Sequence, residues 1–226
     1  MHIIIVGAGR TGKHVIKAAI ADKHDVFVIE ENSERAEWVA SRFDCIVIKA
    51  NATSPEVLKE AKANEADAIV VTTSDDAINM MVILQARELG TKRLVSSVNN
   101  EGYLPVFEQL DIDVVESPFR LNGRYLYRAI QQPNVKEFLD LGDGIEIVEL
   151  QVASGSLIEN KLIKELNKQR MLPSGSRIMV IKRESQLIVP EGDTRILEGD
   201  VVAVLSSKET VHEVDRLFAA KGAIAK

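Results

Sequence analysis

The sequence contains few of the residues that build disulfides, thiolate metal sites or aromatic stacks. Of its 226 residues only Cys45 is a cysteine, and aromatic side chains make up 4% of the chain. A lone cysteine excludes an internal disulfide and a cysteine-based zinc site, and we interpret Cys45 as a small buried hydrophobic residue. Scarce aromatics and a formal net charge of −6 argue against nucleic-acid binding, which relies on base stacking and on neutralised phosphates.

Long apolar runs are also missing. The longest ones, such as residues 2–6 and 80–84, have the length of a strand or of a buried helix segment, whereas a membrane span needs roughly 18 to 20 residues. The sequence does not open with the basic, apolar and small-residue succession of a secretory leader. We therefore expect a soluble, intracellular protein, whose 46% of hydrophobic residues suffices for a sizeable core.

The first half of the chain alternates strand-like and helical patterns. Strand-like runs cover 3–6, 26–29, 45–48, 68–71, 94–98 and 114–115, and helical patterns cover 11–21, 33–42, 54–63, 76–89, 101–110 and 119–130. Because most of these strands are apolar throughout, they fit a parallel sheet covered by helices on both faces. The predicted fold class is α/β, with a Rossmann-like doubly wound parallel sheet over residues 1–132.

The pattern changes beyond this half. Short alternating strands and turns dominate from about residue 135, with helical patterns near 162–166 and 208–220. This mixture predicts a second, smaller α+β domain over residues 135–226.

The most specific local motif is a glycine turn between the first strand and the first helix. Gly7, Gly9 and Gly12 follow the G-x-G-x-x-G spacing, in which they permit a tight turn, a close approach to a pyrophosphate and close packing of helix on strand. The start of a helix adds unpaired N–H groups and a partial positive charge. The motif predicts nucleotide binding, and a glycine turn without a ligand is the alternative.

An acidic residue ends the second strand where such a site needs one. Glu30 lies 18 positions after Gly12 and is expected to accept hydrogen bonds from the adenosine ribose, with Glu31 as the neighbouring alternative. A carboxylate there repels a 2′-phosphate, so NADP is disfavoured. Arg10 is either a phosphate clamp or a solvated surface arginine.

Two polar loops, 50–53 and 72–76, follow the third and fourth strands and border the crevice where ligands of this fold bind. Single residues in them have a simpler interpretation. Thr53, Ser74 and Asp76 each fit the role of a helix N-cap, and the pattern favours that role for any one of them.

Catalytic groups are hard to find. The four histidines are scattered, no tyrosine is followed four residues later by lysine, and neither zinc-ligand spacing nor a nucleophile elbow occurs. A dehydrogenase needs a proton donor or acceptor beside its nicotinamide. We therefore expect no enzyme activity, with an NAD-dependent oxidoreductase as the alternative function.

Several segments together resemble the RCK (regulator of potassium conductance) domain family. They are 3–12 with Arg10, Glu30, 51–53, 99–100, 114–118, 149–152, 155–156, 162–166 and 188–194. Such domains form cytosolic regulatory subunits of Trk/Ktr-type potassium uptake systems. The resemblance implies a non-enzymatic subunit that gates a membrane-embedded potassium-conducting partner from the inner face of the cell membrane. A ligand-sensing module for another transporter is a further alternative.

The resemblance also implies ligands and assembly. The expected ligand is NAD(H) or ATP/ADP, unranked, with cyclic di-AMP a candidate for the C-terminal domain. Homo-oligomers are expected, as dimers that assemble into a ring, typically an octamer. The residues carried over are Gly7, Ala8, Gly9, Arg10, Thr11 and Gly12 for phosphates, Glu30 for the ribose, and Asn51, Ala52, Thr73 and Ser74 beside the adenosine.

Two positions depart from the family pattern. Asn51 stands where aspartate is frequent, and Ser96-Ser97-Val98 replaces a segment that often holds arginine. The missing cation weakens any preference for ATP over NAD. The helix after Pro118, which carries the apolar residues Leu121, Tyr125, Leu126 and Ile130, is interpreted either as an arm that crosses to a neighbouring subunit or as an ordinary core helix.

Overall fold

A computed structural model describes residues 1–132 and 134–220 of the chain. They form two compact units, Met1–Gly123 and a second one that begins at Arg124. The predicted domain ranges 1–132 and 135–226 stay a prediction, and residues 221–226 of the second range lie outside the described residues.

The first unit is a doubly wound parallel sheet, which confirms the predicted fold class. Its elements are β1 (His2–Val6), α1 (Arg10–Ala21), β2 (Asp25–Ile29), α2 (Ser33–Ala40), β3 (Ile46–Ile48), α3 (Pro55–Glu60), β4 (Ala68–Val71), α4 (Asp76–Glu88), β5 (Leu94–Ser97), a 3-10 turn (Glu101–Tyr103), α5 (Leu104–Glu108) and β6 (Val114–Glu116). The strand order is β3-β2-β1-β4-β5-β6. The chain therefore changes direction across the sheet between β1 and β4, where this fold has its ligand crevice.

Strand β1 shows why its sequence is apolar at every position. Ile4 joins one hydrophobic core with α3 and α4, and Ile5 joins another with α1 and α2. Successive side chains of a strand point to opposite faces, so a sheet covered on both faces buries both sets. The continuous apolar run is thus a consequence of the two helical layers.

The helix boundaries correct some predictions. Helix α4 is capped by Asp75, which accepts from the N–H groups of Ala77 (2.8 Å) and Ile78 (3.1 Å), and Ser54 precedes α3. Assigning N-caps to Thr53, Ser74 or Asp76 was therefore wrong. The helix predicted over 101–110 is a 3-10 turn followed by the short α5, because Pro105 suits only the first turn of a helix.

Helix α6 (Pro118–Gln131) begins in the first unit and ends in the second. None of its residues is buried, so the alternative of an ordinary core helix is wrong for the single chain. Leu126 and Ile130 are 70% and 81% exposed. Its second half is tied to the second unit, where Arg128 forms a bidentate ion pair with the fully buried Glu146.

The second unit is an α+β domain around an antiparallel sheet, as predicted. It contains β7 (Val135–Gly142), β8 (Ile145–Gln151), α7 (Ile163–Lys168), β9 (Arg177–Arg183), β10 (Gln186–Ile188), β11 (Val201–Ser207) and α8 (Val211–Phe218). The strand order is β10-β9-β11-β8-β7. One core joins the sheet to both helices through residues such as Leu166 and Phe218.

The sequence pattern missed strand β7. Its pairing with β8 shifts register between Val135 and Glu137 and again between Asp140 and Gly142. Such bulges interrupt the alternation of inward and outward residues, which removes the period-two signal that identifies strands. Strand β10 was also missed.

Candidate functional site

A cavity of about 550 Å³ lies at the carboxyl ends of the parallel strands of the first unit. Loops that follow β1, β2, β3, β4 and β5 contribute to its wall. Every predicted site residue except Gly12 lines this cavity: Gly7, Ala8, Gly9, Arg10, Thr11, Glu30, Asn51, Ala52, Thr73 and Ser74. The structure thus brings together residues that are far apart in the sequence.

The three glycines of the turn meet different requirements. Gly7 has a φ of +90°, a backbone conformation that side chains disfavour. A Cβ at Gly12 would lie 1.9 Å from the carbonyl oxygen of Gly7, so Gly12 permits the packing of α1 on the turn without lining the cavity. Gly9 has a φ of −69°, and a Cβ there would meet nothing within 4 Å. Neither the backbone nor the packing of the protein itself requires glycine at position 9.

The first turn of α1 has neither a side-chain cap nor an acidic side chain to neutralise its N–H groups. Gly9 occupies its N-cap position without a side-chain hydrogen bond, and no acidic residue follows in the first turn. The first N–H groups of a helix have no partner within it and carry the positive end of the helix dipole. Arg10 and Lys13 add two cations to the wall of the cavity. The arrangement suits an anionic group of a ligand.

Glu30 is buried and holds the turn. Its Oε2 accepts from the N–H of Ala8 at 2.7 Å, and its Oε1 accepts from the N–H of Asn32 at 2.9 Å. An ionised carboxylate has further acceptor capacity, so these bonds leave room for a ribose hydroxyl. Glu31 is exposed and lines the same cavity, which keeps both acidic residues as candidates for that contact.

The two polar loops are internally bonded. The Oδ1 of Asn51 accepts from the N–H and the hydroxyl of Thr53, at 2.9 and 2.8 Å. The hydroxyl of Thr73 donates to Asn79 at 2.6 Å, and Ser74 is exposed at the cavity. These bonds give the loops a defined shape before any ligand contacts them.

Several residues of the cavity wall were not predicted, notably Ser97, Asn99, Phe119 and Asn122. Ser97 is the last residue of β5 and Asn99 follows that strand, so the rule that ligands bind at the carboxyl ends of parallel strands would have identified both. Phe119 and Asn122 lie one turn apart on α6, and the sequence contains no signal that this helix begins beside the cavity.

We also searched the structure for metal-ligand clusters and for helices able to span a membrane. Within the described residues no cluster of histidine, cysteine, aspartate and glutamate could hold a metal ion, and no helix there combines the length and apolarity that crossing a membrane requires.

Burial raises the pKa of the Cys45 thiol, and the neighbouring Asp44 carboxylate raises it further by a smaller amount. Because the thiolate is the reactive form, this environment agrees with the interpretation of Cys45 as a packing residue.

The first unit and most of the second match known domain families. The TrkA-N domain model matches residues 3–118, and the TrkA-C domain model matches residues 147–219. The Trk system potassium uptake protein TrkA homolog of Pyrococcus abyssi is 31% identical over 228 residues, which cover 98% of this chain and 99% of that protein.

Solved structures share the fold of the whole chain. The GsuK channel bound to NAD aligns with a TM-score of 0.69 and 20% identity, over 98% of this chain and 40% of that one. The GsuK RCK domain aligns with a TM-score of 0.67 and 21% identity, over 98% of this chain and 48% of that one. These likenesses confirm the fold expected from the RCK resemblance. With both domain models in succession and a relative matched along its whole length, the chain belongs to the TrkA family of Trk system potassium uptake proteins.

Proposed function

We propose that the chain is a regulatory subunit of a Trk-type potassium uptake system and that an adenine nucleotide binds in the cavity of its first unit. The family membership supports potassium uptake as the process. The glycine turn, the first turn of α1 and the acidic residues at the end of β2 support a nucleotide as the ligand.

The observation that carries the nucleotide proposal is the open space at Gly9. Gly7 and Gly12 are required by the fold, through a positive φ and a contact of 1.9 Å. Gly9 is required by neither, and it lines the cavity beside the first N–H groups of α1. A glycine that neither the backbone nor the packing requires fits a position where a phosphate approaches the backbone closely.

The proposed ligand is NAD(H) or ATP/ADP. Binding of NAD by the structurally similar GsuK channel supports the first, and the same phosphate contacts serve both. Glu30 and Glu31 disfavour NADP, because either carboxylate would repel a 2′-phosphate. Cyclic di-AMP stays a candidate for the second domain on the family resemblance alone.

The proposed role of the nucleotide is that of a signal. The described residues around the cavity include no histidine, tyrosine or cysteine, which are frequent proton donors or nucleophiles in enzymes. An NAD-dependent oxidoreductase remains the alternative function, and reduction of NAD with any of a panel of small alcohols or hydroxy acids would favour it. A ligand-sensing module for a different transporter remains another, which the identity of a co-purifying membrane subunit would test.

The proposed assembly is a homo-oligomer, as dimers in an octameric ring, docked on a membrane-embedded potassium-conducting subunit at the inner face of the cell membrane. The exposed Leu126 and Ile130 of α6 support α6 as an arm that contacts a neighbouring subunit. Because Phe119 at the start of the same helix lines the cavity, nucleotides that contact it differently would shift the population of assembled states. Native mass spectrometry measures the subunit number and any retained nucleotide together.

The site is tested by calorimetric titration of ADP, ATP, NAD and NADH into the wild type and into Gly9→Asp. We expect the wild type to bind, and Gly9→Asp to lose about a hundredfold or more in affinity, because a carboxylate would occupy the phosphate position. Gly192→Ala is the matched control, since its Cβ would make only an ordinary contact of 3.6 Å in the second unit. Equal affinities of Gly9→Asp and the wild type would contradict the proposed site.

The regulatory role needs its own measurement. We expect the bound nucleotide to change potassium flux through the membrane partner and the hydrodynamic shape of the assembly. Identical flux and shape with ATP, ADP and NADH would contradict regulation, even if all three bind.

A further inference from the structure

Helix α4 has two buried polar side chains in its first turn that the nucleotide contacts do not use. Asp76 is 8% exposed and Asn79 is fully buried. Burying a carboxylate and an amide costs free energy unless hydrogen bonds compensate. Their partners therefore indicate what the two residues do.

Asn79 holds the loop that follows β4. Its Oδ1 accepts from the N–H of Thr73 at 3.1 Å and from the Thr73 hydroxyl at 2.6 Å. Its Nδ2 donates to the carbonyl oxygens of Thr73, at 3.2 Å, and of Ser97, at 3.1 Å. One side chain thus fixes the backbone on both sides of Thr73 and connects it to the end of β5.

Asp76 holds the loop that follows β5. Its Oδ1 accepts from the N–H and the Nδ2 of Asn99, at 2.7 and 2.9 Å, and its Oδ2 accepts from the N–H of Asn100 at 2.9 Å. The Nδ2 of Asn99 also donates to the carbonyl oxygen of Thr73 at 3.1 Å. No ion pair to Asp76 occurs among residues 1–132 and 134–220, so its charge is compensated by N–H donors alone.

All these bonds end on segments that form one wall of the cavity. Thr73, Ser97 and Asn99 line it, whereas Asp76 and Asn79 do not. The neighbouring Asp75 has a different task, because its side chain caps α4 through Ala77 and Ile78. The structure therefore separates a carboxylate that begins the helix from a carboxylate that holds a loop.

We propose that Asp76 and Asn79 are positioning residues for the nucleotide: they clamp the loops after β4 and β5 in the arrangement that binds it. This inference rests on the proposed function of the cavity. Preorganised loops bind more tightly because the cost of ordering them is already met in the folded protein. Loosening either loop would lower the affinity, although neither side chain touches the ligand.

Asp76→Asn and Asp75→Asn form the decisive pair of variants. Each removes one negative charge from the same helical turn, which by itself favours an anionic ligand. Asp75→Asn keeps a good N-cap, so we expect its affinity for ADP and NADH to rise about twofold. Asp76→Asn weakens three charge-assisted bonds, so we expect its affinity to fall about tenfold. Calorimetry is run well below the measured unfolding midpoint of each variant.

A double variant provides a rescue. Asn99→Asp places a second carboxylate against Asp76 and is expected to lower the affinity about tenfold. In the double variant with Asp76→Asn, the amide is at position 76 and the carboxylate at position 99, so one amide–carboxylate pair is restored. We expect the double variant to bind the nucleotide more tightly than either single variant. A merely stabilising role of Asp76 would not produce this recovery in proteins that are fully folded.

The outcomes separate this inference from the proposed function. If the wild type binds and Asp76→Asn binds as tightly or more tightly, the clamp is wrong and the nucleotide site stands. If the wild type binds none of the nucleotides, the proposed function itself fails. Should Asp76→Asn not fold, Asn99→Asp alone decides, and an unchanged affinity in that variant overturns the clamp.

Discussion

Helices α1 and α4 begin at the ends of neighbouring strands and face the same cavity, yet their first turns are built in opposite ways. The N-cap of α1 is Gly9, without a side-chain hydrogen bond and without an acidic residue in the turn that follows. The N-cap of α4 is Asp75, bonded to two N–H groups, and Asp76 follows it. The free N–H groups and the positive end of the dipole are thus available at α1 and neutralised at α4.

This difference explains how one edge of a sheet serves two purposes. An anionic ligand gains from an open helix start, so α1 is the helix that suits a phosphate. Helix α4 instead uses its acidic residues to cap itself and to hold the loops beside it. Both helices begin beside the same cavity. The first few residues of each determine that α1 suits a phosphate and that α4 holds the neighbouring loops.

The largest effect is expected for Gly12→Ala, which tests the packing of α1 on the glycine turn. Its Cβ would lie 1.9 Å from the Gly7 carbonyl oxygen, so the turn must move, and we expect a loss of about 3 kcal/mol in the free energy of unfolding. Urea denaturation measures it. Gly123→Ala is the control, since its Cβ meets nothing within 4 Å and alanine stabilises a helix by about 1 kcal/mol. A Gly12→Ala protein as stable as the wild type would contradict this contact.

A smaller effect distinguishes the two helix starts. Asp75→Ala removes two capping bonds and is expected to cost about 1 kcal/mol of stability. Gly9→Ala changes the corresponding position of α1, where no side-chain cap exists to be lost; because alanine is a poorer N-cap than glycine, we expect a smaller loss of about 0.6 kcal/mol. Thermal unfolding of both variants checks the prediction. Equal losses would mean that the two starts do not differ in the way the structure shows.

The smallest expected effect is a gain in stability rather than a loss. Gly9→Asp gives α1 the acidic cap that α4 already has, and we expect it to raise the free energy of unfolding by a few tenths of a kcal/mol. The same variant is the one expected to lose nucleotide binding. Thermal unfolding without added nucleotide measures the stability. A lower midpoint than that of the wild type would show that Gly9 serves the fold itself.

Much of the first unit could be predicted because its signals are local. Apolar runs such as 3–6 and 68–71 stand between helical patterns, and the glycine turn follows a strand directly. The second unit was harder to predict, since bulges hide the alternation in β7. For the site, residues next to motifs were found, whereas Phe119 and Asn122 were missed because a helix start beside the cavity leaves no pattern in the sequence.

Asp76 shows the limit of local reasoning most clearly. Position 76 at a predicted helix start suggests an N-cap, and a cap depends only on the next few residues. The structure assigns the cap to Asp75 and turns Asp76 towards Asn99 and Asn100. That contact exists because β5 pairs with β4 in the sheet, and strand order is not encoded in any short window.

The sequence by itself determined the alternation of strands and helices, the glycine turn at 7–12 and the family, because each depends on residues close together or on patterns repeated along the chain. The tertiary structure decided that Gly9 borders open space, that Glu30 holds the turn through Ala8, and that Asp76 and Asn79 fix two loops. These features depend on which strands lie side by side and on what fills the space between them, and both are set only when the whole sheet has formed.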